Sequence, residues 1–177
     1  MKNILSLLFC LVFLWAPAFA SDLTLHDTPV QIYFSPDGGA QAAIINALDA
    51  ARESVCVQAY SFTNVKIAKA LANAFRRGVK VEAVLDQTQQ DEKYAGATYI
   101  RKAHVPVYFD AMHAVAHNKI MIIDNETVIT GSFNFTNAAE KDNAENLLVL
   151  HDKALAKLYM ANWLLHKEHS QKDARYL

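Results

Sequence analysis

The residues with the clearest capacity for chemistry in this 177-residue chain are His117, Lys119, Asp124, Gly131, Ser132 and Asn134. They follow the pattern H-x-K-x4-D, then six intervening residues, then G-S-x-N. Lys119 to Ile123 has strand character, and alternation along a strand sends every second side chain to the same face. His117 and Lys119 are therefore expected to project together, a nucleophile or proton carrier beside a fixed cation. Ser132 and Asn134 repeat the i, i+2 relation on the next segment. Four groups able to attack or bind a phosphate would converge at neighbouring strand ends.

A phosphodiester is a poor electrophile with an alkoxide leaving group. Its cleavage near neutral pH needs a good nucleophile, a proton for the leaving oxygen, and positive charge or donors around the phosphoryl oxygens. Histidine can take either of the first two roles because its pKa lies near neutrality. Lysine supplies a point charge for a non-bridging oxygen. Ser132 and Asn134 can donate hydrogen bonds to the same group. With enough of these side chains in one place, the reaction needs no metal.

This spacing resembles the HKD signature of the phospholipase D superfamily, and every fixed position of that signature is filled. The order of elements from Val30 onward resembles the small, secreted, single-motif endonucleases of that superfamily, the Nuc type. Larger members carry two copies of the motif, whereas this chain carries one. In-line displacement needs groups on opposite faces of phosphorus, so two chains are expected to pair about a two-fold axis through a shared site. One His117 would attack and form a phosphohistidine. The partner's His117 would protonate the leaving oxygen and then activate water.

The resemblance also assigns Glu145 a role, as acceptor of a hydrogen bond from the His117 ring nitrogen that faces away from phosphate. That bond would set the tautomer. Asn146 is implied as support for the same network, and Gly131 as a bend. Asp124 has the opposite strand parity from His117 and Lys119. It is expected to organise the following turn, or pair with a buried donor, without touching phosphorus. No cofactor is implied.

Other candidates weigh less. His113 and His117 are spaced like two zinc ligands on a helix, with Asp110 as the nearest third ligand. Ala114-Val115-Ala116 between them supplies no glutamate base, so no metal site is assigned and His113 is read as lining the approach to the phosphate. His104, His151, His166 and His169 lack such context and read as surface or boundary residues. Lys66, Lys69 and Arg76, with Arg77 adjacent, form a basic helical stripe that either contacts nucleic-acid phosphates or is a solvated face. Tyr60, Phe62, Phe133 and Phe135 could stack on bases, with core packing expected for at least two of them.

The elements that must position these residues can be read from periodicity. Val30–Ser35 reads as a strand ended by Pro36-Asp37-Gly38-Gly39. A helix follows over 40–52, then a strand over 54–62. Asn64 can cap the next helix, which carries Val65, Ala68, Leu71, Ala72 and Phe75 at helical spacing and closes at Gly78. Strands at 79–85 and 105–109 flank a helical stretch over 88–103. Lys119–Ile123 and Thr127–Thr130 are expected to form a hairpin through Asp124-Asn125-Glu126, a strand spans 144–150, and a long helix begins at Lys153. Such alternation predicts an α/β fold, a mixed and largely parallel sheet with helices on both faces. One domain is expected over residues 21–177.

The first 20 residues read differently. A positive start at Lys2, an apolar run over 4–15 and Ala18-Phe19-Ala20 are the parts of a cleaved secretory signal. The run is shorter than the ~20 residues that span a bilayer. A periplasmic or secreted protein without stable membrane association is expected. Cleavage removes Cys10 and leaves Cys56 without an internal disulfide partner, flanked by Val55 and Val57 as an inert core thiol. Loss of Lys2 leaves 16 basic against 18 acidic residues, a net charge of −2. Any nucleic-acid affinity must then come from a local patch.

These readings point to a metal-independent phosphodiesterase that cuts DNA with little sequence preference, because every named group addresses phosphate. RNA stays open as a second substrate. Two alternatives stand beside it: a lipid phosphodiesterase of the same superfamily, and a non-catalytic nucleic-acid-binding module on the same scaffold. The chain lacks a basic amphipathic anchor for a lipid interface. Pure binding would not need the acid–base set His117, Lys119 and Glu145.

Overall fold

The computed structural model describes residues 20–91 and 93–175. All but the last residue of the expected signal segment lies outside them. In chain order the elements are β1 (Val30–Ser35), α1 (Ala40–Ala50), β2 (Ser54–Ala59), α2 (Val65–Arg76), β3 (Lys80–Asp86), a 3-10 turn (Gln87–Gln90) and α3 (Ala95–Lys102). There follow β4 (Val107–Asp110), β5 (Lys119–Ile123), β6 (Thr127–Gly131), α4 (Asn137–Lys141), β7 (Glu145–His151), α5 (Lys153–His169) and β8 (Gln171–Lys172).

The strands form one sheet in the order β1-β7-β6-β5-β2-β3-β4-β8. The α/β class, the mixed sheet and the helices on both faces are as expected. The parallel share is smaller than expected, since only β2-β3 and β3-β4 pair parallel. Those two pairs arise from helical crossovers. β5 and β6 are joined by a tight hairpin, which forces antiparallel pairing.

Two apolar layers enclose the sheet. On one face α1, α2 and α3 bury Ile44, Leu48, Ile67, Leu71 and Ile100 against Val55, Val57, Met121 and Ile129. On the other, α5 lays Ala156 and Trp163 over Cys56, Val84, Ile120, Ile122 and Val128. Trp163 donates from Nε1 to the carbonyl of Val57 at 2.8 Å, which seats the indole without an orphaned donor. Cys56 is buried, and burial followed by the nearby Glu82 charge pushes its thiol pKa up to about 11. It is an inert core thiol, as its neighbours imply.

Local signals account for the element ends. Asn64 caps α2, its side-chain oxygen accepting from the amides of Lys66 and Ile67. Gly78 ends that helix at φ +93°, where a Cβ would be strained. Asp124 and Asn125 both take positive φ, the requirement of a tight hairpin turn whose twist matches the flanking strands. Two elements escaped the periodicity. α4 has 5 residues and β8 has 2, too short for a period to register. Among the described residues no helix is long and apolar enough to cross a membrane.

Candidate active site

The sheet topology brings His117, Lys119 and the G-S-x-N segment to one end of the central strands. β2 runs antiparallel to β5 with Ala59 opposite Lys119, so the C-terminal end of β2 meets the start of β5. The Tyr60 amide donates to the Asn118 carbonyl at 2.9 Å. The buried Gln58 donates from Nε2 to Asn118 Oδ1 at 3.2 Å. Upstream, Asp86 at the end of β3 accepts from the Ala116 amide at 2.8 Å. His117 is thus held between two tethered residues while its own side chain stays exposed.

Lys119 lies beside it, only 8% exposed. Its ammonium is 3.0 Å from His117 Nδ1 and 2.7 Å from the His117 carbonyl oxygen. Tyr60 forms the third wall, its ring centroid 4.6 Å from that of His117 and 5.3 Å from Lys119 Nζ. Burial lowers the Lys119 pKa, partly opposed by the charge of Glu145. A protonated Lys119 donates to Nδ1, which places the ring hydrogen of a neutral His117 on Nε2.

The G-S-x-N segment reaches the same end of the sheet through one close approach. Gly131 has φ +147°, and a Cβ there would sit 2.3 Å from the Asn146 carbonyl oxygen. That oxygen accepts from the amides of Ser132 at 3.1 Å and Phe133 at 3.2 Å. Ser132 Oγ in turn accepts from the Asn146 amide at 3.0 Å, which leaves the hydroxyl hydrogen to donate outward. Asn146 therefore supports the site with its backbone. The Asn134 amide oxygen is buried without a hydrogen-bond partner among the described residues.

Glu145 opens β7 opposite Ser35 of β1. Its carboxylate accepts from Asn143 Nδ2 at 3.1 Å. The expected bond from His117 is not formed, because His117 Nδ1 faces Lys119 instead. Asp124 behaves as its strand parity predicts. Its carboxylate accepts from the amides of Arg52 at 3.0 Å, Glu53 at 2.8 Å and Ser54 at 2.9 Å, closing the turn that leads into β2. These bonds outweigh the effect of burial and lower its pKa.

The other candidate residues take definite places. His113 places its Nδ1 3.0 Å from Asp110 Oδ2. His166 and His169 are boundary residues, as expected, and both also converge on Asp110. Arg77 caps the end of α1, donating to the carbonyls of Leu48, Asp49 and Ala51. Lys66, Lys69 and Arg76 stay exposed on α2. Phe62, Phe133 and Phe135 are fully buried, which leaves Tyr60 as the aromatic of the site.

Sequence reasoning missed the tethers, Gln58, Asp86 and Asn143. Asp86 had one legible signal, a carboxylate ending an apolar strand (KVEAVLD).

Two surface features adjoin these groups. A groove of about 630 Å³ opens onto His117 and Lys119, with Leu23, Leu25, Leu155 and Leu158 among its walls. On β1, Ile32 and Phe34 are 58% and 67% exposed. They share one face by alternation, and Phe34 pairs with Asn146, next to Glu145.

Residues 44–164 match the family described as "Cardiolipin synthase, PLD-like domain". The chain is 43% identical to a "Phospholipase D" of Rickettsia conorii over 143 residues, 81% of this chain and 72% of the relative. The fold is similar to the crystal structure of Nuc, a phospholipase D family member from Salmonella typhimurium. That match has a TM-score of 0.79 and 37% identity, and covers 83% of this chain and 99% of the other. NucT from Helicobacter pylori shares the fold at a TM-score of 0.76 and 24% identity, over 83% of this chain and all 100% of that one. With the motif complete in sequence and its His117, Lys119 and Ser132 brought to one end of the central strands, the chain belongs to the phospholipase D superfamily of phosphodiesterases.

Proposed function

We propose that this chain is a secreted endonuclease that hydrolyses DNA phosphodiesters at a site shared by two copies of itself. The observation that carries the catalytic part is the exposed His117 with the buried Lys119 ammonium 3.0 Å from its Nδ1. Ser132 and Asn134 supply further donors for the phosphoryl oxygens. Support for nucleic acid over lipid comes from the likeness to Nuc, which spans 99% of that chain.

The chemistry needs two histidines. A neutral His117 attacks phosphorus through Nε2 as the bond to the leaving oxygen breaks, and the protonated His117 of the partner subunit gives that oxygen its proton. The partner's His117, now neutral, then takes a proton from water. The resulting hydroxide attacks phosphorus and the P–N bond breaks, restoring both rings. Attack through Nε2 requires the ring hydrogen on Nδ1. The incoming phosphate draws the Lys119 ammonium to itself, which frees Nδ1 to take the hydrogen and to donate it to Glu145. The absence of the His117–Glu145 bond in the free chain fits that sequence.

Pairing is favoured by the exposed Ile32 and Phe34, whose strand leads to Glu145 at the edge of the site. A two-fold contact over this face would bury them and bring two motifs together.

A lipid phosphodiesterase is the second reading. The leucine-walled groove beside His117 could hold an acyl chain, and the Rickettsia relative is named a phospholipase D. The deciding experiment incubates purified wild-type and His117→Ala chains with supercoiled plasmid and, in parallel, with phosphatidylcholine vesicles. Histidine-dependent nicking without choline release supports the nuclease. Choline release from vesicles with intact plasmid overturns it. Retarded but uncut plasmid would mark a binding module.

A further inference from the structure

Away from the phosphate-directed groups, four side chains from distant parts of the chain converge. Asp110 ends β4 and is fully buried. His113 follows it in the loop, with its side chain 40% exposed. His166 and His169 stand on the last turn of α5, three residues apart and therefore on one side of the helix. Asp110 Oδ2 lies 3.0 Å from His113 Nδ1, 2.8 Å from His166 Nδ1 and 3.1 Å from His169 Nε2. The three ring centroids lie 4.9 to 5.2 Å apart.

Hydrogen bonding alone does not satisfy this arrangement. A carboxylate oxygen offers two lone pairs, and here three ring nitrogens crowd Oδ2, while Oδ1, 3.2 Å from His113 Nδ1, already accepts from the Met112 amide at 3.0 Å. His169 Nε2 bears this out: it is buried, close to the oxygen, and makes no bond of acceptable geometry. A central cation would be served by every one of these groups, each turning a lone pair toward it.

We propose that Asp110, His113, His166 and His169 form a structural site for one divalent transition-metal ion of the zinc type. One ligand atom from each residue already lies within 4.8 Å of the others. Tetrahedral zinc with bonds of about 2.0–2.1 Å sets its ligand atoms roughly 3.3 Å apart, so side-chain rotations of about 1 Å complete the site. Three imidazoles favour such an ion over magnesium or calcium, which take oxygen ligands. Four protein ligands leave no open position, as in sites that hold structure. The ion would fasten the end of α5 to the start of the segment 110–119, whose far end carries His117 and Lys119.

The test uses the full chain with its affinity tag removed. After dialysis against metal-free buffer, Zn²⁺ and Co²⁺ are titrated in, and bound metal, melting temperature and visible absorption are recorded. About one equivalent should bind, the melting temperature should rise, and Co²⁺ should give the intense visible bands of a four-coordinate ion. His113→Ala, in an exposed loop where folding is safe, should weaken binding beyond the roughly 10–100-fold that follows loss of a group merely supporting a ligand. The His166→Ala/His169→Ala chain should lose it altogether. His117→Ala and His151→Ala should bind as wild type. Sub-stoichiometric binding at micromolar Zn²⁺, or an equal melting response in wild type and His113→Ala, would overturn the proposal. Since His117→Ala keeps this site but lacks the proposed catalytic histidine, failure here and failure of the nuclease reading remain distinguishable.

Discussion

Asp124 gives the signature its third letter, yet its carboxylate points at backbone amides and away from the phosphate-directed groups. Replacing it should therefore cost stability and leave chemistry intact. The side chain accepts three hydrogen bonds, from the amides of Arg52, Glu53 and Ser54. Bonds to a charged acceptor contribute about 1.5–3 kcal/mol each when buried. Two of these amides are exposed and can rehydrate, so roughly 1 kcal/mol each is the better figure for them. The Ser54 amide is half-buried and takes the larger value. Asp124 also sits at φ +53°, a conformation that costs a non-Asx residue about 1 kcal/mol. Asp124→Ala should then lose about 5 kcal/mol, a melting-temperature drop of roughly 10–20 °C for a domain of this size. Asp124→Asn keeps the turn preference and one acceptor, and should lose about half as much.

The pH dependence has a definite sign. The folded carboxyl has a lowered pKa, so its stabilisation is present above the unfolded value near 3.9 and disappears as pH falls through the folded value. The difference in melting temperature between wild type and Asp124→Asn should shrink over that acid range. Thermal unfolding across pH supplies the first measurement. The second is single-turnover cleavage of a phosphodiester substrate well below the lower melting temperature. A drop in cleavage rate of a thousandfold or more in folded Asp124→Asn would refute the structural assignment and place this carboxylate in the reaction.

Four further outcomes follow from the geometry. In isolated heterodimers of wild type with His117→Ala, cleavage should be nearly abolished, because each site needs both rings; half of wild-type activity would sink the shared site. Gly131→Ala places a Cβ 2.3 Å from the Asn146 carbonyl oxygen, and should destabilise the chain by about 3 kcal/mol or more, read from urea midpoints. Lys119→Met removes an ammonium that burial penalises. It should melt no lower than wild type while losing roughly 10³-fold or more in activity, and a large stability loss would contradict that account. Cys56, with its thiol pKa at about 11, should react with a thiol reagent only on unfolding, so fast labelling of the native chain at pH 8 would show the layer under α5 to be open.

Much of the site was legible because its code is local. Strand parity over a few residues separated His117 and Lys119 from Asp124, and the structure places them at opposite ends of β5. The capping of α2 by Asn64, the tight turn at Asp124-Asn125 and the span of α5 from Lys153 were readable for the same reason: each depends on neighbours within a turn or a hairpin. Sheet order depended on packing between remote segments. Helical alternation suggested largely parallel pairing; the β5–β6 hairpin was readable from its turn, but the antiparallel pairings β2–β5, β6–β7 and β7–β1 were not, since no residue within those strands encodes its neighbour. The same holds for the His113–His166–His169 group, whose members meet Asp110 across as many as 59 residues of sequence. Short-range spacing specifies which side chains share a face, since backbone geometry repeats every two or about 3.6 residues. Which faces meet is decided only when burial of apolar surface selects one packing of the whole sheet, and that selection is where the chain's own sequence ceased to be readable and its tertiary structure began to answer.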